Sequence, residues 1–208
     1  MLAERWNCLA ARLPGNTQAA EKIFNTIENS YSASNRYYHT LEHLEHCFEE
    51  MDNLTQTLED RNAVELALWL HDIVYIPELA NNEELSSAIG FCYGLELSAD
   101  YRFAAAVRQL ILATAHGSWA GLPTGDKAIV TDIDLSILGS DELRFACYET
   151  AIRKEYGHLS DVIYRKGRIK VLESFLAKQR IFQTDSFYSR YEEQSRRNIA
   201  KQLKLLTV

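Results

Sequence analysis

The sequence has little that would end or bend regular structure, since only three prolines and nine glycines occur in 208 residues. It also has no run approaching the roughly 20 apolar residues that a membrane-spanning helix needs. At the amino terminus, Glu4, Arg5 and Arg12 interrupt the apolar centre that a secretory signal peptide requires. These absences argue against a membrane partner and lead us to expect a cytoplasmic protein.

Paired cysteines are also missing. The four cysteines are widely spaced in helical, apolar segments and form no CxxC pair: Cys8, Cys47, Cys92 and Cys147. Such spacing indicates neither a zinc-binding cysteine pair nor a disulfide framework. We therefore expect all four to be reduced residues of the hydrophobic core.

The chain has no excess of positive charge. Its 22 Lys and Arg residues are outnumbered by 29 Asp and Glu residues, which gives a net charge of -7. A broad nucleic-acid surface needs a basic surplus, so none is evident here, and no Walker or dinucleotide-binding fingerprint is present. A small anionic substrate stays compatible with this charge if a metal ion supplies local positive charge.

What the sequence does have is helical periodicity. Apolar residues recur at three- and four-residue spacing, with no alternating segments. Helices are predicted at roughly 1–13, 17–33, 39–54, 60–72, 82–97, 99–116, 126–138, 141–156, 159–181 and 187–205. The length suits one domain. We expect a single all-α helical bundle over 1–208, with its functional core at about 36–139 and a helical extension at 141–208.

Four of the six histidines fall in two short segments, Tyr38–His46 and Leu68–Asp72. On a helix, His39 and His43 lie four residues apart and His43 and His46 three apart, so all three cannot converge equally on one metal. One of the three must serve another purpose, and we expect His46 to lean outward in a structural role.

His71 and Asp72 end an apolar run, Val64–Leu70, whose pattern predicts a buried helix. A buried carboxylate is costly unless it is paired, and coordination to a divalent cation offsets that cost. A simple ion pair at the helix end is the alternative interpretation of the same dipeptide.

Two further aspartates, Asp132 and Asp134, interrupt the apolar segment Thr131–Leu138. Because aspartate disfavours helix interiors, each needs a partner there, and a metal held by two histidines and one aspartate is a natural candidate. The alternative is a pair of exposed carboxylates on the flank of a helix.

The order His43, His71-Asp72 and Asp134 resembles the signature of the HD superfamily of metal-dependent phosphohydrolases. The segment Tyr38–His43 is similar to the Tyr-His-Asn-x-x-His motif of cyclic-nucleotide phosphodiesterases, with Thr40 in place of asparagine. Ile133–Ser136 resembles their Ala-Asp-Leu-Ser. The resemblance covers about residues 36–139 and implies an HD-type helical fold.

This resemblance assigns roles to particular residues. It implies that His43, His71, Asp72 and Asp134 bind the metal, and that Asp134 rather than Asp132 is the fourth ligand. It also implies that His39 donates a proton to the leaving group.

A closer similarity is to small bacterial proteins described as predicted HD phosphohydrolases, which share the segment Asn82-Glu83-Glu84. Glu83 is therefore a candidate for orienting water, with helix capping as the alternative. Several single-metal nucleotide hydrolases of the superfamily have a glutamate three residues after His-Asp, where this chain has Tyr75. His116 lies where two-metal members have another histidine, and it is a candidate for a second metal or the substrate, or else a cation at a helix end.

The sequence therefore predicts hydrolysis of a phosphate ester or nucleotide, with Asp72 also acting in catalysis. The cofactor is expected to be a divalent ion: Mn, Fe, Co, Ni, Zn or Mg. One alternative is an HD-type diiron oxygenase, which would need extra ligands such as His46, Glu83 and His116. Another is a non-catalytic, metal-containing ligand sensor. The sequence does not identify the substrate and leaves a homo-oligomer open.

Overall fold

The computed structural model describes residues 2–115 and 122–207. In these two segments the chain is 72% helical and contains no strand, which confirms the all-α prediction. The helices are α1 (Leu2–Arg12), α2 (Thr17–Tyr31), α3 (Leu41–Asp52), α4 (Arg61–Leu70), α5 (Asn82–Ser98), α6 (Tyr101–Leu112), α7 (Asp126–Leu135), α8 (Glu142–Glu155), α9 (Asp161–Leu176) and α10 (Asp185–Leu206), with a 3-10 helix at Ser136–Gly139. None of these helices is both long and apolar enough to span a bilayer.

The chain divides into two compact units, Met1–Thr131 and Asp132–Val208. The boundary falls within α7, four residues before that helix ends. The single domain expected over 1–208, with a core at about 36–139 and an extension at 141–208, stays a prediction.

Helix α4 forms the centre of the first unit. Every residue from Ala63 to Leu70 is buried, and α1, α3, α5 and α6 pack against it. The helix begins at Arg61 because the Asp60 carboxylate accepts a hydrogen bond of 2.9 Å from the Ala63 N–H. Each large apolar side chain buried along it contributes about 1.5–3 kcal/mol to stability. This packing fixes the carboxyl end of α4, where His71 and Asp72 follow.

A charged residue interrupts the buried face of α4. Glu65 is only 3% exposed, and its carboxylate forms ion pairs with Arg5 at 2.9 Å and Arg12 at 2.5 Å. Both arginines lie on α1, so the pairs join α1 to the central helix while they compensate for the desolvation of Glu65.

Helices α5 and α6 form a closely packed hairpin beside α4. A Cβ added at Gly94 would lie 2.9 Å from the Cα of Ala104, so only glycine allows this approach. Ala99 ends α5 in the left-handed region, with φ 53°, and the Asp100 carboxylate caps α6 by accepting from the Arg102 N–H. The hairpin thereby positions the amino end of α5, which faces the loop after Asp72.

In the second unit, α9 ends at Leu176, five residues before the predicted end at 181. The segment that follows, 177–184, is not helical, and within it Ile181 and Phe182 are buried. The Glu192 carboxylate of α10 accepts hydrogen bonds from the N–H groups of Ile181 (2.9 Å) and Phe182 (3.1 Å). These contacts replace the helical hydrogen bonds that the apolar pattern alone predicted.

The second unit also contains a buried arginine, Arg168, which donates hydrogen bonds to Tyr148 at 3.0 Å and to Glu149. Both Arg168 and Glu149 are largely buried. This ion pair joins α8 to α9, and the attraction between the two charges offsets part of the cost of burying them.

The prediction that all four cysteines are core residues was wrong for three of them. Only Cys47 is buried, whereas Cys8, Cys92 and Cys147 are exposed. An apolar neighbourhood in sequence does not place a residue on the buried face of a helix. On α1, for example, the buried side chains are Trp6 and Leu9, and Cys8 lies away from their common face.

Candidate metal centre

Three predicted ligands of the first unit converge on one point. The Nε2 atoms of His43 and His71 are 3.0 Å apart, and Asp72 Oδ2 lies 3.0 Å from the Nε2 of His71 and 3.6 Å from that of His43. The two histidines are almost fully buried, with exposures of 3% and 1%, and Asp72 is partly buried. The structure thus brings together residues from α3 and from the end of α4.

His71 is held in one orientation by its own helix. It is the residue that follows α4, and its Nδ1 lies 2.9 Å from the main-chain oxygen of Leu68. A carbonyl oxygen can only accept a hydrogen bond, so this contact places a ring proton on Nδ1. In the neutral ring, Nε2 then directs a lone pair towards His43 and Asp72.

This arrangement fits a divalent metal ion. A lone pair on the His71 Nε2 and the carboxylate of Asp72 are electron-rich groups 3.0 Å apart, and a cation between them relieves their repulsion. At metal–ligand distances of about 2.1 Å, two ligands at right angles on one ion lie about 3.0 Å apart. Imidazole nitrogen and carboxylate oxygen are also ligands that transition metals accept. The buried group could therefore hold such an ion.

Sequence reasoning missed Arg36, which holds the two segments of the cluster in place. This buried arginine, 8% exposed, donates hydrogen bonds to the main-chain oxygens of His39 (3.1 Å), Asp72 (2.7 Å) and Ile73 (3.0 Å). No sequence pattern indicates that a single arginine will donate hydrogen bonds to main-chain carbonyl groups. Its guanidinium, with several donors in one plane, suits it to bridge separate stretches of backbone.

Tyr31 of α2 supports Asp72 from another direction. The Asp72 N–H donates a hydrogen bond of 3.1 Å to the Tyr31 hydroxyl oxygen. Burial raises the pKa of Tyr31 well above its ordinary value, so the hydroxyl stays neutral at physiological pH. The backbone of Asp72 is therefore fixed at both its N–H and its carbonyl group.

His39 is not on the helix on which it was predicted. Helix α3 begins at Leu41, and His39 lies in the bend before it, because Thr40 adopts an extended conformation. Its ring stacks on Tyr75, with centroids 3.9 Å apart and planes 27° apart. Its Nε2 lies 3.9 Å from Asp72 Oδ2, which places it beside the cluster but beyond hydrogen-bonding distance. Tyr75 thus positions His39, and the proton-donor role stays a prediction.

Asn82 holds the loop after Asp72 through its side chain. The Asn82 side chain accepts from the N–H of Ile76 at 3.0 Å and donates to its oxygen at 2.9 Å. Ser86, one turn later, accepts from the Val74 N–H at 3.1 Å. Glu83 lies partly buried in the first turn of α5, where a negative charge is favourable. Its role in orienting water stays a prediction.

Asp132 has a structural role within the second unit. Its carboxylate accepts hydrogen bonds from the N–H of Gln183 (2.8 Å) and from the N–H (2.7 Å) and hydroxyl (2.8 Å) of Thr184. Burial raises the pKa of Asp132 to about 6, although these hydrogen bonds oppose the shift. Residues two apart on a helix lie about 200° apart around its axis, so Asp134 is on the opposite face. Asp134 as the fourth ligand stays a prediction.

Two other histidines, His46 and His116, were also given roles by the sequence. His46 was predicted to lean outward, and that prediction was wrong, because it is 7% exposed. The buried face of α3 is wide enough to include both His43 and His46 together with Leu44. His116, the candidate for a second metal or the substrate, lies outside the described residues.

Comparison of the chain with family models, with curated proteins and with solved structures gives no match. Function is therefore inferred from the chemistry of the cluster and from the order of its motifs. The relevant observations are the convergence of His43, His71 and Asp72 and the support that Arg36 and Tyr31 give to it.

Proposed function

We propose that this chain is a metal-dependent phosphohydrolase of the HD type that acts on a phosphate ester or nucleotide. The observation that carries the proposal is the convergence of His43 Nε2, His71 Nε2 and Asp72 Oδ2 within 3.0–3.6 Å. The HD order of motifs and the all-helical architecture support it. The HD-type fold is itself part of this proposal.

Four residues would hold the ion: His43, His71, Asp72 and Asp134. A divalent metal bound there would lower the pKa of a water ligand and polarise a phosphoryl oxygen, which is the chemistry that phosphate hydrolysis needs. The candidate ions are Mn, Fe, Co, Ni, Zn and Mg.

The remaining roles belong to side chains around the cluster. His39 holds the proton that the departing oxygen requires, and its stacking on Tyr75 keeps the ring beside Asp72. Asp72 and Glu83 are the carboxylates that we assign to orienting the attacking water. This division separates the residue that protonates the leaving group from those that act on the nucleophile.

The net charge of the chain bears on which kind of phosphorylated molecule we propose as its substrate. With a net charge of -7, the surface offers no general attraction for a polyanion, whereas a divalent ion attracts a phosphate locally. We therefore propose a small phosphorylated substrate rather than a nucleic acid. The cytoplasmic location and the homo-oligomer left open by the sequence stay predictions.

The diiron alternative gains no support from the described part of the chain. There, the groups of side chains close enough to share an ion include neither His46 nor Glu83. A non-catalytic sensor would have the same metal centre and differ only in lacking turnover.

Metal analysis of the purified protein, combined with a screen of nucleotides, cyclic nucleotides and simple phosphate esters, tests the proposal. We expect bound divalent metal and hydrolysis of at least one phosphate class, both lost in His71→Ala. The matched control is His158→Ala, which removes an exposed histidine of the second unit. A metal-loaded protein without turnover would favour the sensor, and a protein that binds no metal would overturn the proposal.

A further inference from the structure

The hydroxyl of Tyr148, on α8, is held by a buried ion pair. Arg168 donates to the Tyr148 oxygen at 3.0 Å and holds the Glu149 carboxylate through two nitrogens, of which Nε lies 3.2 Å from Oε2. The Arg168 and Glu149 side chains are only 9% and 5% exposed, so water does not weaken these contacts. The phenol oxygen therefore accepts from a fixed cation and keeps its own proton to donate.

The proton of Tyr148 needs an acceptor, because a buried tyrosine hydroxyl usually has one. Glu149 is the neighbouring carboxylate on α8, but Arg168 engages both of its oxygens. Burial raises the pKa of Tyr148, and the negative charges of Glu149 and Asp134 raise it further, whereas Arg168 lowers it. The phenol thus stays protonated at physiological pH, and besides Glu149 the carboxylate whose charge reaches it is Asp134.

The fold brings α8 to the residues that follow Asp134. The 3-10 helix Ser136–Gly139 begins two residues after Asp134 and packs against α8. Within residues 128–139 only Asp134 is partly exposed, while the others are buried. Its side chain therefore lies at an opening in an otherwise buried segment, where an ion and a hydroxyl group from α8 can both reach it.

We propose that Tyr148 is a positioning residue of the metal centre, whose O–H donates to the Asp134 carboxylate and orients the oxygen that would bind the ion. The inference rests on the proposed function, in which Asp134 is the fourth ligand. A carboxylate that binds a metal is itself commonly hydrogen-bonded, and this second contact sets its orientation. Arg168 strengthens the donor, because successive hydrogen bonds polarise one another.

This proposal gives the pair of Arg168 and Glu149 a function besides joining α8 to α9. Apolar side chains of similar size could join two helices at no loss of stability, since a buried ion pair gains little over them. Only a donor such as Arg168 can occupy the oxygen of Tyr148 and leave its proton for Asp134.

The test compares the zinc affinity of Tyr148→Phe with that of Tyr164→Phe, measured by competition with a chelator. Each substitution removes one tyrosine hydroxyl of the second unit, but the Tyr164 hydroxyl is buried without a hydrogen-bond partner in the described part of the chain. We expect Tyr148→Phe to weaken zinc binding about tenfold or more, the effect of removing a group that supports a metal ligand. Tyr164→Phe should leave the affinity unchanged.

A second background shows whether Tyr148 acts through Asp134. In Asp134→Ala the remaining ligands should still bind zinc, which imidazole holds well, at lower affinity. Adding Tyr148→Phe there should cause no further loss, because the carboxylate that it supports is gone. A residue that acted only on folding would weaken zinc binding equally in both backgrounds.

Thermal unfolding of the metal-free proteins checks that each variant is folded. Phenylalanine keeps the ring of Tyr148, and Arg168 keeps its contact with Glu149, so the fold should persist. Tyr148→Met, which also lacks the hydroxyl and fills space flexibly, is the second variant and should show the same loss of zinc affinity.

The outcomes separate the two proposals. Equal zinc affinities in Tyr148→Phe and Tyr164→Phe would overturn the role of Tyr148 and leave the histidine and aspartate centre standing. The same loss on adding Tyr148→Phe to Asp134→Ala would also overturn that role. An unsubstituted protein that binds no zinc, cobalt or manganese would overturn the proposed function as well. If Asp134→Ala binds no measurable zinc, the comparison of the two phenylalanine variants decides the question.

Discussion

The guanidinium of Arg36 donates a 2.7 Å hydrogen bond to the main-chain oxygen of Asp72, and the same nitrogen also donates to the main-chain oxygen of His39. One buried arginine thus fixes the proposed metal ligand and the proposed proton donor relative to each other. Because it acts only through their backbone, Arg36 is a positioning residue.

We expect Arg36→Lys to lower the metal affinity of the centre by about 10- to 100-fold, the range found when groups that support metal ligands are removed. Lysine keeps the positive charge but cannot reach three carbonyl groups with a planar fork. Isothermal titration with Zn²⁺ measures the change. Arg12→Lys, which alters an ion pair with Glu65 in the same unit, is the control and should leave affinity unchanged. Equal affinities in both variants would show that Arg36 does not position the site.

Asp72→Asn should remove bound metal and hydrolysis together, because it deletes a negative charge while preserving the shape of the side chain. Asp100→Asn is the matched control, since Asp100 caps α6 and lies on the surface of the same unit. Metal content is measured by elemental analysis after gel filtration. Full occupancy in Asp72→Asn would remove Asp72 from the ligand set.

We expect substitutions of the two aspartates of α7, Asp132 and Asp134, to have different effects on stability and on metal content. Asp132→Ala should lower the free energy of unfolding by about 1–3 kcal/mol, because it leaves the N–H groups of Gln183 and Thr184 without their acceptor. Asp134→Ala should instead reduce metal content with a smaller effect on stability. Chemical denaturation and metal analysis of both variants measure these effects. The reverse pattern would make Asp132 the ligand.

His39→Ala should keep the metal and lose about 10²–10⁴ in turnover on a substrate with a poor leaving group, the range of general acid catalysis. On p-nitrophenyl phosphate esters, whose leaving group needs little protonation, the loss should be much smaller. Comparison of kcat on the two substrates gives the result. Equal losses would reject the acid role, and loss of metal would make His39 a ligand.

In the described part of the chain, most helices could be predicted from periodicity because they bury apolar residues at helical spacing, as α4 does. Helix α5 differs, because its buried residues are mainly serines and glycines. Predicted helix boundaries were wrong where a polar side chain accepts the hydrogen bonds that a helix would otherwise make. The Glu192 carboxylate does so for the N–H groups of Ile181 and Phe182. His39 was placed on α3 for a similar reason, since the extended conformation of Thr40 leaves no trace in the apolar pattern.

Only part of the candidate site could be predicted from the sequence. The pairing of His43 with His71-Asp72 followed from motif order, and the structure brings these residues together. Arg36 and the burial of His46 could not be predicted, because they depend on contacts between distant segments and on how wide the buried face of α3 is. Such contacts have no local signature.

The most direct test of the metal centre is anomalous diffraction from crystals grown with Zn²⁺ or Mn²⁺, recorded on both sides of the absorption edge of the metal. We predict an anomalous peak within about 2.0–2.5 Å of the Nε2 atoms of His43 and His71 and of a carboxylate oxygen of Asp72. A peak elsewhere on the chain, or no peak between these three side chains at saturating metal, would contradict the account.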